Sequence, residues 1–339
     1  MRFRSRILGA RLLAAFLVFT LLFSALGCSS HGYRTSRLYK MGTYCSFTLA
    51  GGAGEDGDAM SVLSPLVGDA EALLSHRMEG SFPRLLLTAG SMTVTDTRLL
   101  SALCLAEALY TKTDGLFSVS VLPITLLWNF DAETPTPPTF EALAAALADC
   151  GTLRIEGERV TLSSGGIDLG AMGKGYAADV CADALKERGE TGLVAIGGSI
   201  AAVGEKDGAP WQIGVRDPSS ASQNDTLGTL ALADAFVSTS GSYEKTFTYE
   251  GVSYHHILDP RTGMPAESDL VSVTVVGESG VLTDALSTAC FLLGLEGAFA
   301  LAGEYGASIL AVTKEGVLYV SASLADRFSA KAGWEAIYR

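Results

Sequence analysis

Cysteine and positive charge are both scarce in this sequence, and closely spaced metal-binding pairs are missing. Six cysteines occur in 339 residues, and none stands in the short pairs that bind zinc. The five after Cys28 are odd in number and widely spaced, so we expect no disulfide framework. Three of them lie in helical apolar patterns and are predicted to be core thiols: Cys104, Cys181 and Cys290.

Long apolar runs are also rare. Hydrophobic residues make up 48% of the chain and charged residues 18%, a balance that excludes a disordered protein. The one long apolar stretch lies at the extreme N-terminus, which excludes a multi-span membrane protein. The length suffices for one large or two smaller packed domains.

The charge of the chain is acidic and unevenly placed. The net charge is −13, and residues 1–27 carry four arginines and no acid, so the remainder has 20 basic against 37 acidic residues, or −17. Such a body repels a phosphate backbone, so we expect no nucleic acid partner. A small anionic ligand would need a metal, a helix N-terminus or a placed lysine.

Several familiar signatures are absent. The chain has no GxxxxGK[ST] loop and no GxGxxG opening a Rossmann unit, and Ser240 lies outside a GxSxG elbow. These absences disfavour P-loop, dinucleotide-fold and serine hydrolase chemistry. No internal repeat is visible.

The first 27 residues have the pattern of a secretory signal. Four arginines precede an apolar run over 12–23, and small residues follow up to Gly27. Gly27-Cys28 resembles the end of a bacterial lipobox, so we predict lipidation of Cys28, with an ordinary cleaved signal or a retained anchor as alternatives. The expected organisation is a signal peptide over 1–27, a polar tether over 28–38 and one domain over 39–339.

The remaining pattern mixes helices and strands without a regular βαβ rhythm, which predicts an α+β fold. The clearest amphipathic helix spans 176–188, and Gly189 suits its C-cap. The alternating valines of 271–276 predict a half-buried strand. Further helices are predicted over 59–74, 97–110, 139–148, 283–293 and 296–306, and further strands over 153–162 (a hairpin), 193–196, 211–215, 227–231, 309–313 and 317–320.

Asp284 and Thr288 form the most informative pair. Residues four apart on a helix share one face, so a carboxylate and a hydroxyl are presented together. Hard oxygen donors of this kind suit Mg²⁺ rather than zinc or copper. The alternative is an acid that merely favours the helix dipole.

A glycine-rich segment leads from Asp168 through Lys174 into the helix predicted at 176. Free backbone N–H groups and the positive dipole end would make an anion site there, and Lys174 would add a full charge. The alternative is a tight turn with an exposed lysine.

Two of only four histidines stand before a loop rich in Pro and Gly. His256 can move a proton near neutral pH, and Asp259 is close enough in sequence to orient it. A turn-capping histidine is the alternative. Two small-residue segments, Gly197-Gly198 and 239–241, would allow a backbone to approach a ligand closely, although glycine there is more often just a turn.

Taken together and in order, these segments resemble the ApbE family of FAD:protein FMN transferases. Family members are typically exported and often lipidated, which agrees with the N-terminus. The matching pieces are 41–43, 123–130, 168–176, 197–198, 211–218, 239–241, 256–265 and 284–288.

The resemblance implies a single α+β domain of mixed sheets with packed helices. It also implies a Mg²⁺-dependent transfer of FMN from FAD to a Thr hydroxyl of an exported redox protein, with release of AMP. The catalytic residues would be His256, Lys174 and Asp284, and the metal ligands Asp284, Thr288 and the carbonyl of Ala171. The FAD-lining residues would be Met41, Pro123, Asp168, Lys174, Gly197, Gly198, Thr239, Ser240, Gly241, His256 and Leu258.

The sequence departs from the family pattern at four positions. Arg77 replaces a usual Tyr, Leu87 a common Asn, Ser118 an expected Asp, and Ser199 a usual Asp. Two alternatives therefore stay open: a Mg²⁺-dependent FAD pyrophosphatase yielding FMN and AMP, and a flavin-binding lipoprotein without chemistry. The expected location is outside the cytoplasm, either on the outer face of the bacterial cytoplasmic membrane through a lipid anchor or in the periplasm.

Overall fold

The computed structural model describes residues 32–50 and 57–339, and the predicted signal peptide 1–27 and Cys28 lie outside these ranges. In the described part, seven α-helices pack against four β-sheets. The helices are α1 (Gly57–Leu74), α2 (Phe82–Ala89), α3 (Thr97–Lys112), α4 (Leu122–Trp128), α5 (Phe140–Asp149), α6 (Gly170–Glu187) and α7 (Gly280–Glu304).

A nine-stranded sheet forms the centre of the fold, in the order β1-β2-β6-β7-β10-β13-β14-β15-β17. A sheet β16-β9-β8, a sheet β3-β5-β4 and the hairpin β11-β12 complete it. Every pair of these strands is antiparallel except β15 with β17, and largely antiparallel sheets are typical of an α+β fold. The strands are β1 (Tyr33–Lys40), β2 (Thr43–Ala50), β3 (Ser91–Thr93), β4 (Leu153–Glu156), β5 (Arg159–Leu162), β6 (Gly192–Ile196), β7 (Ser199–Val203), β8 (Trp211–Arg216), β9 (Thr226–Leu232), β10 (Ala235–Gly241), β11 (Thr246–Tyr249), β12 (Val252–His255), β13 (Leu270–Gly277), β14 (Ser308–Thr313), β15 (Leu318–Val320), β16 (Phe328–Ala330) and β17 (Ala336–Tyr338).

The nine-stranded sheet separates two apolar cores. Helices α1, α3, α6 and α7 cover one face, and the sheet β16-β9-β8 covers part of the other. Strand β13 is therefore buried on both faces: Val273 and Val275 belong to the first core and Val276 to the second. The prediction of a half-buried strand at 271–276 is wrong, because the second sheet covers the face expected to meet water.

The folded part begins earlier than the sequence predicted. Residues Tyr33–Arg339 form one compact unit. Strand β1 pairs with β2 along its full length, from Tyr33 opposite Ala50 to Lys40 opposite Thr43. The predicted tether 28–38 therefore overlaps β1. Since residues 33–38 pair with β2, they belong to the folded domain, and the prediction of a tether over them is wrong.

Helix α7 contains a break where the sequence predicted two helices. Gly294 has φ 74° and ψ −178°, and the N–H of Leu295 donates to Asp269 Oδ1 at 3.1 Å. By length and composition, α7 is the one helix in the described ranges that could cross a membrane, and half of its most apolar window is buried inside the domain. That burial is typical of a core helix.

The cysteines of the described ranges are all free thiols. Cys181 and Cys290 are buried, and burial raises the pKa of each to about 12. Cys104 is exposed, so its prediction as a core residue is wrong: it lies on the solvent side of α3, whose buried face carries Leu99 and Leu103 instead.

Candidate active site

Helices α6 and α7 cross at two glycines. A Cβ built on Gly175 would lie 2.0 Å from the carbonyl oxygen of Gly280, and one built on Gly280 would lie 2.3 Å from that of Gly175. Only glycine permits such a backbone contact. The crossing brings the first turns of α7 against the first turns of α6.

Asp284 lies in this crossing, and its side chain is 4% exposed. Oδ2 accepts the N–H of Gly175 at 2.9 Å, and Oδ1 lies 3.4 Å from Nζ of Lys174. Lys174 also donates to the carbonyl of Gly170 at 3.2 Å. A carboxylate has about four lone-pair sites, so these contacts leave room for a further partner.

A hydroxyl cluster extends the carboxylate along α7. Ser287 Oγ donates to the carbonyl of Asp284 at 2.8 Å and lies 2.7 Å from Ser240 Oγ, which lies 3.1 Å from Thr288 Oγ1. Since the Ser287 proton is committed, Ser240 donates to Ser287 and Thr288 donates to Ser240. The lone pairs of Thr288 Oγ1 stay open to a cation.

These oxygens fit Mg²⁺. The side-chain donors are one carboxylate and one hydroxyl, without nitrogen or sulfur, and Ala171, whose carbonyl the family resemblance adds as a third donor, lies on the first turn of α6. Residues 32–50 and 57–339 contain no group of three or more His, Cys, Asp and Glu side chains that could hold a metal. Mg²⁺ commonly takes one or two carboxylates and completes its shell with water and substrate phosphates, so a sparse hard set suits it.

Helix α6 begins at Gly170 rather than at 176, so its glycines lie inside the first turns. Asp168 Oδ1 accepts the N–H of Gly170 at 2.9 Å and lies 3.7 Å from His76 Nδ1. Burial disfavours ionisation of Asp168, yet the contacts with His76 and Gly170 hold the pKa of this carboxyl below its usual value. The first amide of the predicted anion site is thus occupied by the protein's own carboxylate.

His256 lies beside the lysine. Its Nδ1 is 3.0 Å from the carbonyl oxygen of Glu244, and a carbonyl can only accept, so Nδ1 carries the hydrogen and Nε2 the lone pair. Burial lowers the pKa of His256 to about 4, and the charge of Lys174 acts in the same direction. The expectation that Asp259 orients His256 is wrong, because Asp259 pairs with Arg261 at 3.0 Å inside its own turn.

Three loops approach these groups from the large sheet. Met41, in the β1–β2 turn, has φ 53°, and its Cε lies 3.6 Å from a Cβ built on Gly173. Gly197 and Gly198 form the β6–β7 turn, where the carbonyl of Gly198 accepts the N–H of Thr239 at 3.1 Å. Ser240 and Gly241 then end β10 beside α7.

Leu258 belongs to a separate aromatic cluster, and Pro123 lies in the first turn of α4, the helix that contributes Trp128 to this cluster. Leu258 packs against buried Trp128, whose Nε1 donates to the carbonyl of Gly263 at 2.6 Å. Neither makes a described contact with Lys174 or Asp284. Nearby lies a cleft of about 360 Å³, within the range of small-molecule sites. It is lined by His76, Arg77, Pro83, Arg84, Leu87, Leu122 and Leu126.

His76 and Glu244 were not found by sequence reasoning. His76 is one of four histidines but has no motif around it, and its partner Asp168 is 92 residues away in the chain. Glu244 contributes only its carbonyl, which any residue type provides. Two residues shortly after 239–241 could have indicated this region: the aromatic Tyr243 and the basic Lys245.

The family model described as ApbE matches residues 41–311. The chain belongs to the ApbE family. The FAD:protein FMN transferase of Treponema pallidum is 34% identical over 294 residues, 79% of this chain and 81% of the relative. That of Vibrio cholerae is 36% identical over 210 residues, 60% of this chain and 63% of the relative. With these relatives, the chain is an enzyme of the transferase class.

Solved ApbE structures share the fold. The ApbE protein of Thermotoga maritima superposes with a TM-score of 0.76 at 30% identity, covering 86% of this chain and 98% of that one. The flavin transferase ApbE of Vibrio cholerae gives 0.74 at 28% identity, covering 87% of this chain and 100% of that one. The predicted α+β fold is confirmed.

Two of the four departures from the ApbE pattern line the cleft, and the other two lie elsewhere in the fold. Arg77 and Leu87 line the 360 Å³ cleft, where Arg77 Nη2 pairs with Asp131 Oδ2 at 2.6 Å. Ser118 accepts the N–H of Ser120 at 3.1 Å, and buried Ser199 accepts from Ser238 Oγ at 3.2 Å. Both serines are thus satisfied inside the fold, while the two cleft positions face a ligand-sized space.

Proposed function

We propose that this protein transfers the FMN part of FAD to a threonine hydroxyl of an exported acceptor protein, with Mg²⁺ as cofactor and AMP as leaving group. The observation that carries this is the contact of Lys174 with Asp284 at the helix crossing, with Thr288 one turn further along α7, in a chain of the ApbE family. Two relatives bear the name FAD:protein FMN transferase.

Attack on a diphosphate needs positive charge near its oxygens. Asp284, Thr288 and the carbonyl of Ala171 would hold Mg²⁺, which when bound neutralises phosphate charge and makes the phosphorus more electrophilic. Lys174, 3.4 Å from Asp284, supplies a second fixed positive charge. Preorganised charge of this kind typically contributes 10²–10³ in rate per group.

The chemical step needs no nucleophile from this chain. The acceptor's threonine Oγ forms a bond to the phosphorus of the FMN part, the bond from that phosphorus to the AMP oxygen breaks, and AMP leaves. The hydroxyl proton goes to Nε2 of His256, which is unprotonated because Nδ1 donates to Glu244. FAD would lie along Met41, Gly197-Gly198 and 239–241, with Asp168, Pro123 and Leu258 at its ends.

Export and lipidation belong to the same proposal. The signal-like residues 1–27 and Cys28 would place the domain outside the cytoplasm, held at the membrane by a lipid on Cys28. Labelled fatty acid should enter the wild-type chain in bacterial cells and should not enter Cys28→Ser. Equal labelling of the two would refute the anchor.

The function is tested by weighing an acceptor. The chain from residue 32 onward is incubated with FAD, Mg²⁺ and a domain carrying the acceptor threonine, and intact mass is measured. We expect a gain of one FMN and an equal yield of AMP. A matched acceptor with Thr→Ala should gain nothing.

Each of two other results would refute the proposal and indicate a different function. AMP released at the same rate without any acceptor would indicate an FAD pyrophosphatase, in which water takes the place of threonine. FAD that is bound yet unchanged after long incubation with metal would indicate a flavin-binding lipoprotein.

A further inference from the structure

The smaller sheet β16-β9-β8 reaches the active site through one side chain. The register of β8 and β9 shifts between Val215 and Arg216 and skips Leu227, so a bulge lies on β9 opposite the end of β8. Bulges near active sites re-aim a side chain. Here the guanidinium carbon of Arg216 lies 4.4 Å from the centre of the Tyr243 ring, in the loop that follows β10.

The stack is formed by the guanidinium of Arg216 and the ring of Tyr243. Arg216 Nε is buried and has no hydrogen-bond partner among the described residues. Because the guanidinium contacts the Tyr243 ring through its flat face rather than through its N–H edge, Nε is left without a hydrogen-bond partner. Gly241 also lies close to the ring, because a Cβ on Gly241 would lie 2.5 Å from it. The Tyr243 ring is thus packed against both a cation and the backbone of its own loop.

The residue after Tyr243 determines the tautomer of the catalytic histidine. The carbonyl of Glu244 accepts from His256 Nδ1 at 3.0 Å, and that bond alone places the lone pair on Nε2. The loop is also tied at Ser242, whose N–H donates to the carbonyl of Val271 at 3.0 Å, and at Lys245, whose Nζ lies 3.4 Å from Asp131 Oδ1. Between these ties stands the stacked Tyr243, directly before Glu244.

We infer that Arg216 and Tyr243 are positioning residues that hold the Glu244 carbonyl against His256 and so keep His256 in the tautomer that accepts the threonine proton. The inference rests on the proposed function only for the proton step. The tautomer itself is a property of the protein without substrate. Neither residue needs to touch FAD.

The test uses variants on both sides of the stack. Arg216→Met removes the charge and keeps the length, Arg216→Lys keeps a cation, and Tyr243→Leu removes the ring. Nitrogen NMR of the histidine rings in the substrate-free protein should show His256 as the Nδ1–H form in wild type and Arg216→Lys. It should show a mixture of tautomers in Arg216→Met and Tyr243→Leu.

The kcat values of the variants should parallel the tautomers that their NMR spectra show. A misplaced general base lowers kcat by about tenfold to a hundredfold, whereas KM for FAD should stay within twofold. The double variant Arg216→Met with Tyr243→Leu should be no slower than either single variant, because both act through one contact. A matched control is Arg339→Met, which removes a similar stack, 4.6 Å from the Tyr319 ring, on β15. It should change neither kcat nor the tautomer.

The possible outcomes distinguish the positioning role of Arg216 and Tyr243 from the proposed transfer of FMN. A pure Nδ1–H form in folded Arg216→Met and Tyr243→Leu, judged by their melting curves, would overturn the inference even if the enzyme transfers FMN. So would a loss confined to FAD affinity, or additive losses in the double variant. A tautomer mixture in an enzyme that moves no FMN would support the positioning role and refute the proposed function. If one variant does not fold, the other variant and the Arg216→Lys comparison decide the result.

Discussion

At the scale of single residues, two carboxylates at the same helix crossing, Asp284 and Asp179, have different partners. Asp284 faces Lys174 and an amide, with Thr288 one turn further along α7. Asp179 instead binds the start of α7: its oxygens accept from the N–H groups of Gly280 at 2.6 Å and Val281 at 2.9 Å. Asp179 thus binds a helix end, whereas Asp284 is the carboxylate that the proposed function assigns to the metal.

These tasks predict opposite effects of substitution. We expect Asp284→Asn to lower kcat by at least about 10² because it removes the acidic metal donor, with a stability loss of only about 1–2 kcal/mol. Asp179→Asn should lower stability through its lost capping bonds and retain its activity per folded molecule. Steady-state kinetics and denaturant unfolding check both. Normal turnover by Asp284→Asn would refute the metal assignment.

His256 predicts an unusual pH dependence. Burial lowers its pKa to about 4, whereas an unfolded chain protonates this histidine near 6.5. The unfolded state therefore binds more protons between these values, so the stability that His256 contributes is complete above pH 6.5 and is lost as pH falls towards 4. The melting temperature of wild type should drop more across this window than that of His256→Gln.

The same lowered pKa of His256 predicts the pH dependence of activity. The value of kcat/KM should not fall at pH 6.5 but only nearer pH 4, and an activity loss centred at 6.5 would contradict this.

The residues that could be predicted were those whose partners are local. Asp284 and Thr288 are four apart on one helix, so the chain itself places them on one face. The partners of His256 and Asp168 are distant in sequence, and one is a backbone oxygen without side-chain identity. Asp259 looked suited to His256 by proximity, but its own turn and Arg261 satisfy it first.

At the scale of elements, the crossing of α6 and α7 determines the geometry of the site. The sequence predicted that α6 starts at 176, since Gly170, Gly173 and Gly175 are poor helix formers. In the structure the helix already runs through them. The close approach to α7 needs a residue without a side chain, and packing energy compensates for the low propensity. Tertiary contact, which the local pattern does not contain, moved the boundary.

Two glycine substitutions distinguish the effect of the backbone contact between α6 and α7 from the effect of helix propensity. Gly175→Ala puts a Cβ 2.0 Å from the Gly280 carbonyl, so the helices must separate, and we expect a loss of about 1–3 kcal/mol or more together with weaker Mg²⁺-dependent activity. Gly303→Ala is the matched control: it is exposed in α7 with nothing within 4 Å of its Cβ, and should stabilise by about 0.5–1 kcal/mol. Chemical denaturation measures both. Equal small effects would mean that the helices do not cross so closely.

At the scale of the whole molecule, the domain is one large sheet with a different layer on each face. The helical layer supplies Lys174, Asp284 and Thr288, and the smaller sheet supplies the Arg216 stack. The α+β class could be predicted because it needs only the mixture of patterns. The sheet order could not, since several of its pairings join segments far apart in sequence: β2 pairs with β6, with Cys45 opposite Ile196, and β10 pairs with both β7 and β13. The burial of β13 on both faces follows from that order.

The N-terminal boundary tests this architecture directly. If 28–38 were a tether, chains beginning at residues 33 and 39 would be equally stable. In the structure, 33–38 supply six of the eight residues of β1, which covers the edge of β2. A chain beginning at 39 leaves that edge unpaired, and an exposed edge strand invites association. We therefore expect the chain from 33 to melt cooperatively as a monomer, and the chain from 39 to melt several degrees lower and to associate as its concentration rises. Calorimetry and light scattering at two concentrations check this, and a chain beginning at 29 should match the one from 33. Identical behaviour of the chains from 33 and 39 would show that β1 is dispensable and that the fold starts where the sequence pattern placed it.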